Sequence, residues 1–224
     1  MSMLSNLDLI RRVPLFAMLT PAQAELLAGA VTKRRFKRGE FLVEQGKNCE
    51  YLFILLAGRA RVVVTDNRDR EVILATMHPG DYVGEMSLID REPHSASVEA
   101  EVQTDALVLN GAEFTRCLLE NTSTVSAVMR GLVSRLRSAD RKIELLALMN
   151  VYGRVAAVLM EAAPADENNV RVIRDKISRQ DIAKMVGASR EMVSRVMKDF
   201  EEQGFIETRA DGSLLVKDRR FKPR

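Results

Sequence analysis

With 224 residues, 46% of them hydrophobic and 29% charged, the chain is long enough for two modest domains that each bury a core. No apolar run approaches the length of a membrane span, and Met1 to Arg12 lacks the apolar region of a signal peptide, so no membrane partner and a cytoplasmic location are expected. The net charge of +3 resides from Asn150 onward, where 15 basic residues stand against 12 acidic ones; it ends in the tail Lys217 to Arg224 and suits a polyanionic partner or a plain solvated tail.

In chain order, Thr20-Pro21-Ala22-Gln23 supplies an N-cap, a first-turn proline and a capping-box glutamine, which predicts a short helix. From Arg35 to Leu109 the pattern changes to short strands separated by turn residues. Strands are expected at Phe41–Val43, Tyr51–Ala57, Ala60–Thr65, Glu71–Met77 and Ala106–Leu109, with turns at Gly39, Gly46, Gly58, Asp66-Asn67 and His78-Pro79-Gly80-Asp81. Strands this short and regular predict a small all-β roll or barrel. Cys49 and Cys117 form no CxxC pair and are too few for a four-cysteine cluster, so both are expected to be reduced.

Asn110-Gly111-Ala112-Glu113 resembles a capping box that opens another short helix. A long helix over Ser123 to Met149 follows. Val125, Met129, Leu132, Leu136, Ala139, Ile143 and Leu146 are spaced alternately four and three residues apart, the a/d seam of a coiled coil. A second copy of the chain is the expected partner, the alternative being packing of the stripe on the roll. Gly131 weakens this helix by about 1 kcal/mol relative to alanine.

A first helix of the C-terminal third covers Val151 to Ala162. Ser178 then caps a helix that runs to Val186, Gly187 breaks it, and Ser189 caps a further helix from Arg190 to about Gln203. On a wheel of about 100° per residue, Arg190, Ser194, Glu191 and Arg195 fall within about 140° of one another, and Met192, Val193, Val196 and Phe200 lie on the other side. Arginine can donate twice to guanine, and glutamate can accept from cytosine N4. Arg179 and Gln180, at the start of the preceding helix, are placed to hold phosphates and fix register, and Ser189 and Ser194 complete the expected DNA-binding set. Glu207 to Asp218 folds about an Asp211-Gly212 turn as a wing. The arrangement of capped helix, glycine turn, capped helix and hairpin is a helix-turn-helix that reads duplex DNA, and it is more specific than a solvated charged face.

Two stretches carry a family resemblance: PGDYVGEMSLIDREPHSASVEA (Pro79 to Ala100), and Asn150-Val151-Tyr152-Gly153-Arg154 with ISRQDIAKMVGASREMVSRVMKDFEEQGFIE (Ile177 to Glu207). Over nearly its whole length the chain resembles the CRP/FNR family of bacterial transcription regulators. The resemblance implies an α+β protein with a jelly-roll-like effector domain and flanking helices in 1–122, a dimerisation helix in 123–149 and a winged helix-turn-helix in 150–224. It implies that Arg190, Glu191 and Arg195 read TGTGA-like half-sites of a palindrome as a homodimer, and that the loop Pro164 to Asn169 is a candidate surface for RNA polymerase.

The same resemblance implies an effector pocket of Gly84, Glu85, His94, Ser95 and Ala96. In the cyclic-AMP-binding members the glutamate takes a ribose hydroxyl and an Arg-Ser pair takes the cyclic phosphate, but the arginine position here is His94, which lacks the charge and fork of a guanidinium. On the long helix, Ala139 and Asp140 stand where those members have a Thr-Ser pair. Arg137-Ser138-Ala139-Asp140 is instead an R-x-x-D, the spacing by which other proteins hold the guanine of cyclic di-GMP, and also that of a surface ion pair. Cyclic di-GMP therefore ranks first as effector and cyclic AMP second, with an effector-independent regulator carrying a relic pocket as the alternative. A cupin-like metalloenzyme is the remaining alternative. With His78 and His94 as the only histidines, no metal and no catalysis are expected.

Overall fold

The computed structural model describes residues 5–48, 50–163, 170–174 and 177–217. Cys49, the loop 164–169 and the tail beyond Lys217 lie outside them, and so do the expectations attached to them. Ser5 and Thr20 open α1 (Asn6–Arg12) and α2 (Pro21–Ala30), each with a complete capping box. α2 runs directly into β1 (Val31–Phe36), a strand absent from the sequence reading because its middle four residues are polar and exposed. Among the described residues β1 is an edge strand of its sheet, and Thr32 to Arg35 are exposed.

β2 (Phe41–Val43), β3 (Tyr51–Ala57), β4 (Ala60–Thr65) and β5 (Glu71–Met77) keep their predicted bounds. β6 (Tyr82–Val83), α3 (Glu85–Asp90) and β7 (Ser97–Ala100) are additions, each too short to show a period. β8 (Thr104–Asn110) begins earlier than expected. The strands form two antiparallel four-stranded sheets, ordered β1-β8-β3-β6 and β2-β7-β4-β5. Alternation along β3 explains its almost unbroken apolar run. Phe53 and Leu55 join Phe36, Val98 and Ala106 between the sheets, while Leu52 and Ile54 face a second core with Leu107, Leu109, Ile10, Leu27 and Phe114. That second core packs helices onto the outer face of the first sheet.

Asn110 caps α4 (Gly111–Glu120) by accepting from the Ala112 amide at 2.8 Å. Glu113 pairs with Arg116 one turn on, so the expected box is only half formed. α5 (Thr122–Leu148) begins one residue before the predicted start. Thr124 and Val128 are its buried residues, and Leu132, assigned above to the intermolecular seam, packs on the helical core of the roll. The other seam positions are uncovered or half covered in the single chain: Met129 is 60% exposed, Leu136 62%, Ile143 63% and Leu146 55%.

The chain divides into two compact units, Met1–Leu136 and Arg137–Arg224, so the division falls within α5 and not at its ends. In the second unit, α6 (Val151–Ala162), α7 (Arg179–Val186) and α8 (Arg190–Glu202) enclose Val155, Leu159, Ile182, Val193, Val196 and Phe200. A three-stranded sheet of order β10-β11-β9 completes it, from β9 (Arg171–Ile173), β10 (Ile206–Thr208) and β11 (Leu214–Val216). The predicted hairpin is β10 and β11. Gly212 turns it at φ +81°, and the Asp211 carboxylate accepts from the Ser213 amide at 2.9 Å. β9 was not foreseen.

Candidate functional site

Two clusters of chemically active side chains lie apart, one in each unit. In the second unit, Gly187 ends α7 in the left-handed region at φ +62°, and its amide returns to the Ala183 carbonyl. Two residues later the Ser189 hydroxyl accepts from the Met192 amide at 3.2 Å and starts α8. Arg154 of α6 donates to the Val186 carbonyl at 2.8 Å, occupying one of the acceptors left open at the end of α7. Behind α8, Tyr152 donates to Asp199 and its ring meets Phe200 edge-on at 6.0 Å. Thus the turn and the rear of α8 are both anchored.

The front of α8 is open. Arg190, Glu191 and Arg195 are exposed and Ser194 half-buried, while Val193, Val196, Met197 and Phe200 are buried. Met192, placed by the wheel on the apolar side, is 36% exposed at the margin. Arg179, Gln180 and Ser189 are exposed at the starts of α7 and α8. Backbone amide donation at the start of the helix, helped by the Ser189 hydroxyl, holds the Glu191 carboxyl below its ordinary range. It is therefore an anionic acceptor at neutral pH. Two guanidinium donors, a carboxylate acceptor and a hydroxyl thus share one solvent-facing strip of a rigid helix.

In the first unit the cluster is built around Gly84, at φ +104°, where a Cβ would overlap the Tyr51 carbonyl oxygen. Glycine there lets the chain turn against β3 and begin α3 with Glu85 pointing inward. Glu85 is 1% exposed. One carboxylate oxygen takes a hydrogen bond from Arg135 of α5, which also donates to the Tyr82 carbonyl and lies over the Tyr82 ring at 5.0 Å. The other oxygen, Glu85 Oε2, is buried without a hydrogen-bond partner, as is the Tyr82 hydroxyl. Burial pushes the Glu85 carboxyl up from its usual value, and the Arg135 charge opposes that rise.

His94 is buried and shares a 2.9 Å hydrogen bond through Nδ1 with the Ser87 hydroxyl, leaving Nε2 without a partner. Its backbone pairs with Gly46 and Lys47, which fixes it in place. Burial lowers its pKa below the ordinary 6.5, so the ring is neutral at pH 7. Ser95 is exposed and Ala96 half-buried. A surface hollow of about 390 Å³ opens beside α3, lined by Asn48, Glu50, Arg91 and Thr115 among others; neither Glu85 nor His94 lines it.

Arg137 and Asp140 are exposed residues of the second unit, and no ion pair joins them among the described residues. Arg135 is not singled out by the sequence. Its partner is 50 residues away, and the one local signal was the glycine one turn before it. Among the described residues, no three His, Cys, Asp or Glu side chains converge as metal ligands, and no helix is long and apolar enough to cross a membrane.

The two clusters lie in separate compact units, and comparison with known proteins matches each stretch of chain to its own domain family. A cyclic nucleotide-binding domain matches residues 33–121 and a Crp-like helix-turn-helix domain matches residues 153–220. The cAMP-activated global transcriptional regulator Vfr of Pseudomonas aeruginosa is 32% identical over 82% of this chain and 88% of its own length. A CRP-like cAMP-activated regulator of Mycobacterium tuberculosis is 26% identical over 94% of this chain and 95% of its own. Among solved structures, the c-di-GMP responsive regulator CLP of Xanthomonas campestris shares the fold with a TM-score of 0.76, covering 89% of this chain and 100% of that one at 21% identity. The chain belongs to the CRP/FNR family of transcription regulators.

Proposed function

We propose that the chain acts as a homodimer that binds palindromic DNA sequence-specifically under the control of a cyclic nucleotide. The observation that carries the DNA reading is the exposed strip of α8, with Arg190, Glu191 and Arg195 in front and a buried apolar face behind. In the major groove the arginines donate to guanine O6 and N7 and Glu191 accepts from cytosine, consistent with TGTGA-like half-sites; Arg179, Gln180 and Ser189 hold phosphates. Met129, Leu136, Ile143 and Leu146, apolar yet exposed, support pairing through α5. Two copies then present two recognition helices to half-sites one helical turn apart, a geometry that suits contact with RNA polymerase at a promoter.

For the effector, Glu85 supports a nucleotide: a buried carboxylate oxygen without a partner suits a ribose hydroxyl. The phosphate position fits less well. A neutral, buried His94 engaged with Ser87 supplies neither the charge nor the fork of an arginine. Cyclic di-GMP is the first reading, supported by the R-x-x-D spacing of the exposed Arg137 and Asp140, which offers a donor and an acceptor to a guanine edge. Cyclic AMP is the second reading, favoured by the retained Glu85 and by the 32% identity to a cAMP-activated relative.

Calorimetric titration of the full chain with each nucleotide, in one buffer, separates these readings. Heat with cyclic di-GMP alone, abolished by Arg137→Ala with Asp140→Ala, supports the first. Heat with cyclic AMP alone means that His94 can stand in for arginine. Silence from both leaves an effector-independent regulator, and a palindromic TGTGA duplex without nucleotide then tests the DNA reading by itself.

A further inference from the structure

Gly131 lies in the middle of α5, where glycine is a poor helix former and the heptad pattern does not explain it. The structure supplies a reason. A Cβ at position 131 would overlap the Tyr82 hydroxyl, with ring carbons Cζ at 3.2 Å and Cε1 at 3.8 Å. The ring cannot swing aside cheaply, because it is buried in the helical core and the Arg135 guanidinium lies 5.0 Å above it. Arg135 follows Gly131 by four residues, on the same line of the helix. From there it reaches both the Tyr82 carbonyl and the Glu85 carboxylate.

We propose that Tyr82 and Gly131 are positioning residues for the effector-facing carboxylate. The tyrosine ring, seated in the notch that Gly131 leaves, fixes the register of α5 on the roll, so that Arg135 engages one oxygen of Glu85 and leaves the other for the ligand. Loss of the notch displaces Arg135 and with it the presentation of Glu85. The functional consequence rests on the nucleotide reading above; the contact itself does not.

Four full-length proteins test this: wild type, Gly131→Ala, Tyr82→Phe and the double variant. Each is examined by thermal unfolding and by titration with labelled cyclic di-GMP and cyclic AMP. Gly131→Ala is expected to lower the unfolding midpoint by about 5 °C, although alanine favours helix. It weakens binding of whichever nucleotide the wild type takes by about tenfold, the usual range for an overpacked contact. Tyr82→Phe keeps its ring beneath Arg135 and binds within about threefold of wild type. In the double variant the missing hydroxyl makes room for the methyl group, and most of both losses are recovered, the signature of direct coupling between neighbours.

Tolerance of alanine at 131 in both measurements, or losses that Tyr82→Phe does not rescue, overturns the notch. A rescued midpoint with nucleotide affinity unmoved throughout leaves the contact as packing and overturns the positioning role. If the wild type binds neither nucleotide, the nucleotide reading fails and the positioning role falls with it, while the unfolding cycle still decides the contact.

Discussion

Arg190 is exposed on α8 and Glu191 beside it is held ionised, so each offers one kind of hydrogen bond at neutral pH. Removing the Arg190 guanidinium by Arg190→Ala is expected to cost about 1–3 kcal/mol of operator affinity and to relax preference at one base pair. Fluorescence anisotropy on duplexes varied at each half-site position reads both effects. In the roll, His94 and Glu85 couple stability to pH with opposite signs. Burial depresses His94 below 6.5, so the unfolded chain binds the extra proton, and this contribution is whole above pH 6.5 and lost as pH falls through the folded value. Burial raises Glu85 above 4.5, so that contribution is whole below pH 4.5 and lost as pH rises through its folded value. His94→Gln should therefore flatten the decline of the unfolding midpoint as pH falls below 6.5, leaving the Glu85 effect in place. Glu85 and His94 were legible as sequence positions because glycine and serine flank them in a recognisable motif. That His94 is buried, neutral and committed to Ser87 was not, since that depends on strands and turns remote in the chain.

Elements were legible where one physical signal dominated. Ser178, Gly187 and Ser189 mark α7 and α8 by chemistry local to the backbone, and the caps form as those residue types require. Ser189→Ala is expected to lose about 1 kcal/mol of stability in the DNA-binding unit, measured by denaturant unfolding. β1 was illegible for the opposite reason: an edge strand can carry polar residues on most of its length, and Val31 and Phe36 alone face inward. α5 shows a mixed case, since only part of one apolar stripe is covered. Its first part is consumed by the roll through Val128 and Leu132, whereas Leu136 and Ile143 remain uncovered. Replacing Leu136 by Asp should raise the dimer dissociation constant by at least about tenfold, about 1.4 kcal/mol, in analytical ultracentrifugation. The same change leaves the fold of the roll intact, because Leu136 contributes nothing to its core. An unchanged dimer would remove α5 as the pairing element.

At the scale of the whole chain, each unit has its own core and matches its own domain family. Calorimetric unfolding should depart from a single two-state transition. On the nucleotide reading, a nucleotide at about 100 times its dissociation constant adds about 2.7 kcal/mol of stability to the first unit and raises its midpoint, and a specific duplex raises that of the second. The free edge of β1 bears on how such a molecule associates with itself. Lys33, Arg34 and Arg35 stand side by side along it, with Arg34 resting over Phe36 at 4.7 Å and Arg35 held to Asp105 at 2.7 Å. A second chain offering the same strand in antiparallel register would bring like charges opposite one another in the middle of the ladder. Growth of the sheet into an aggregate is thereby discouraged at this margin of the roll, and the proposed pairing through α5 has no competitor there.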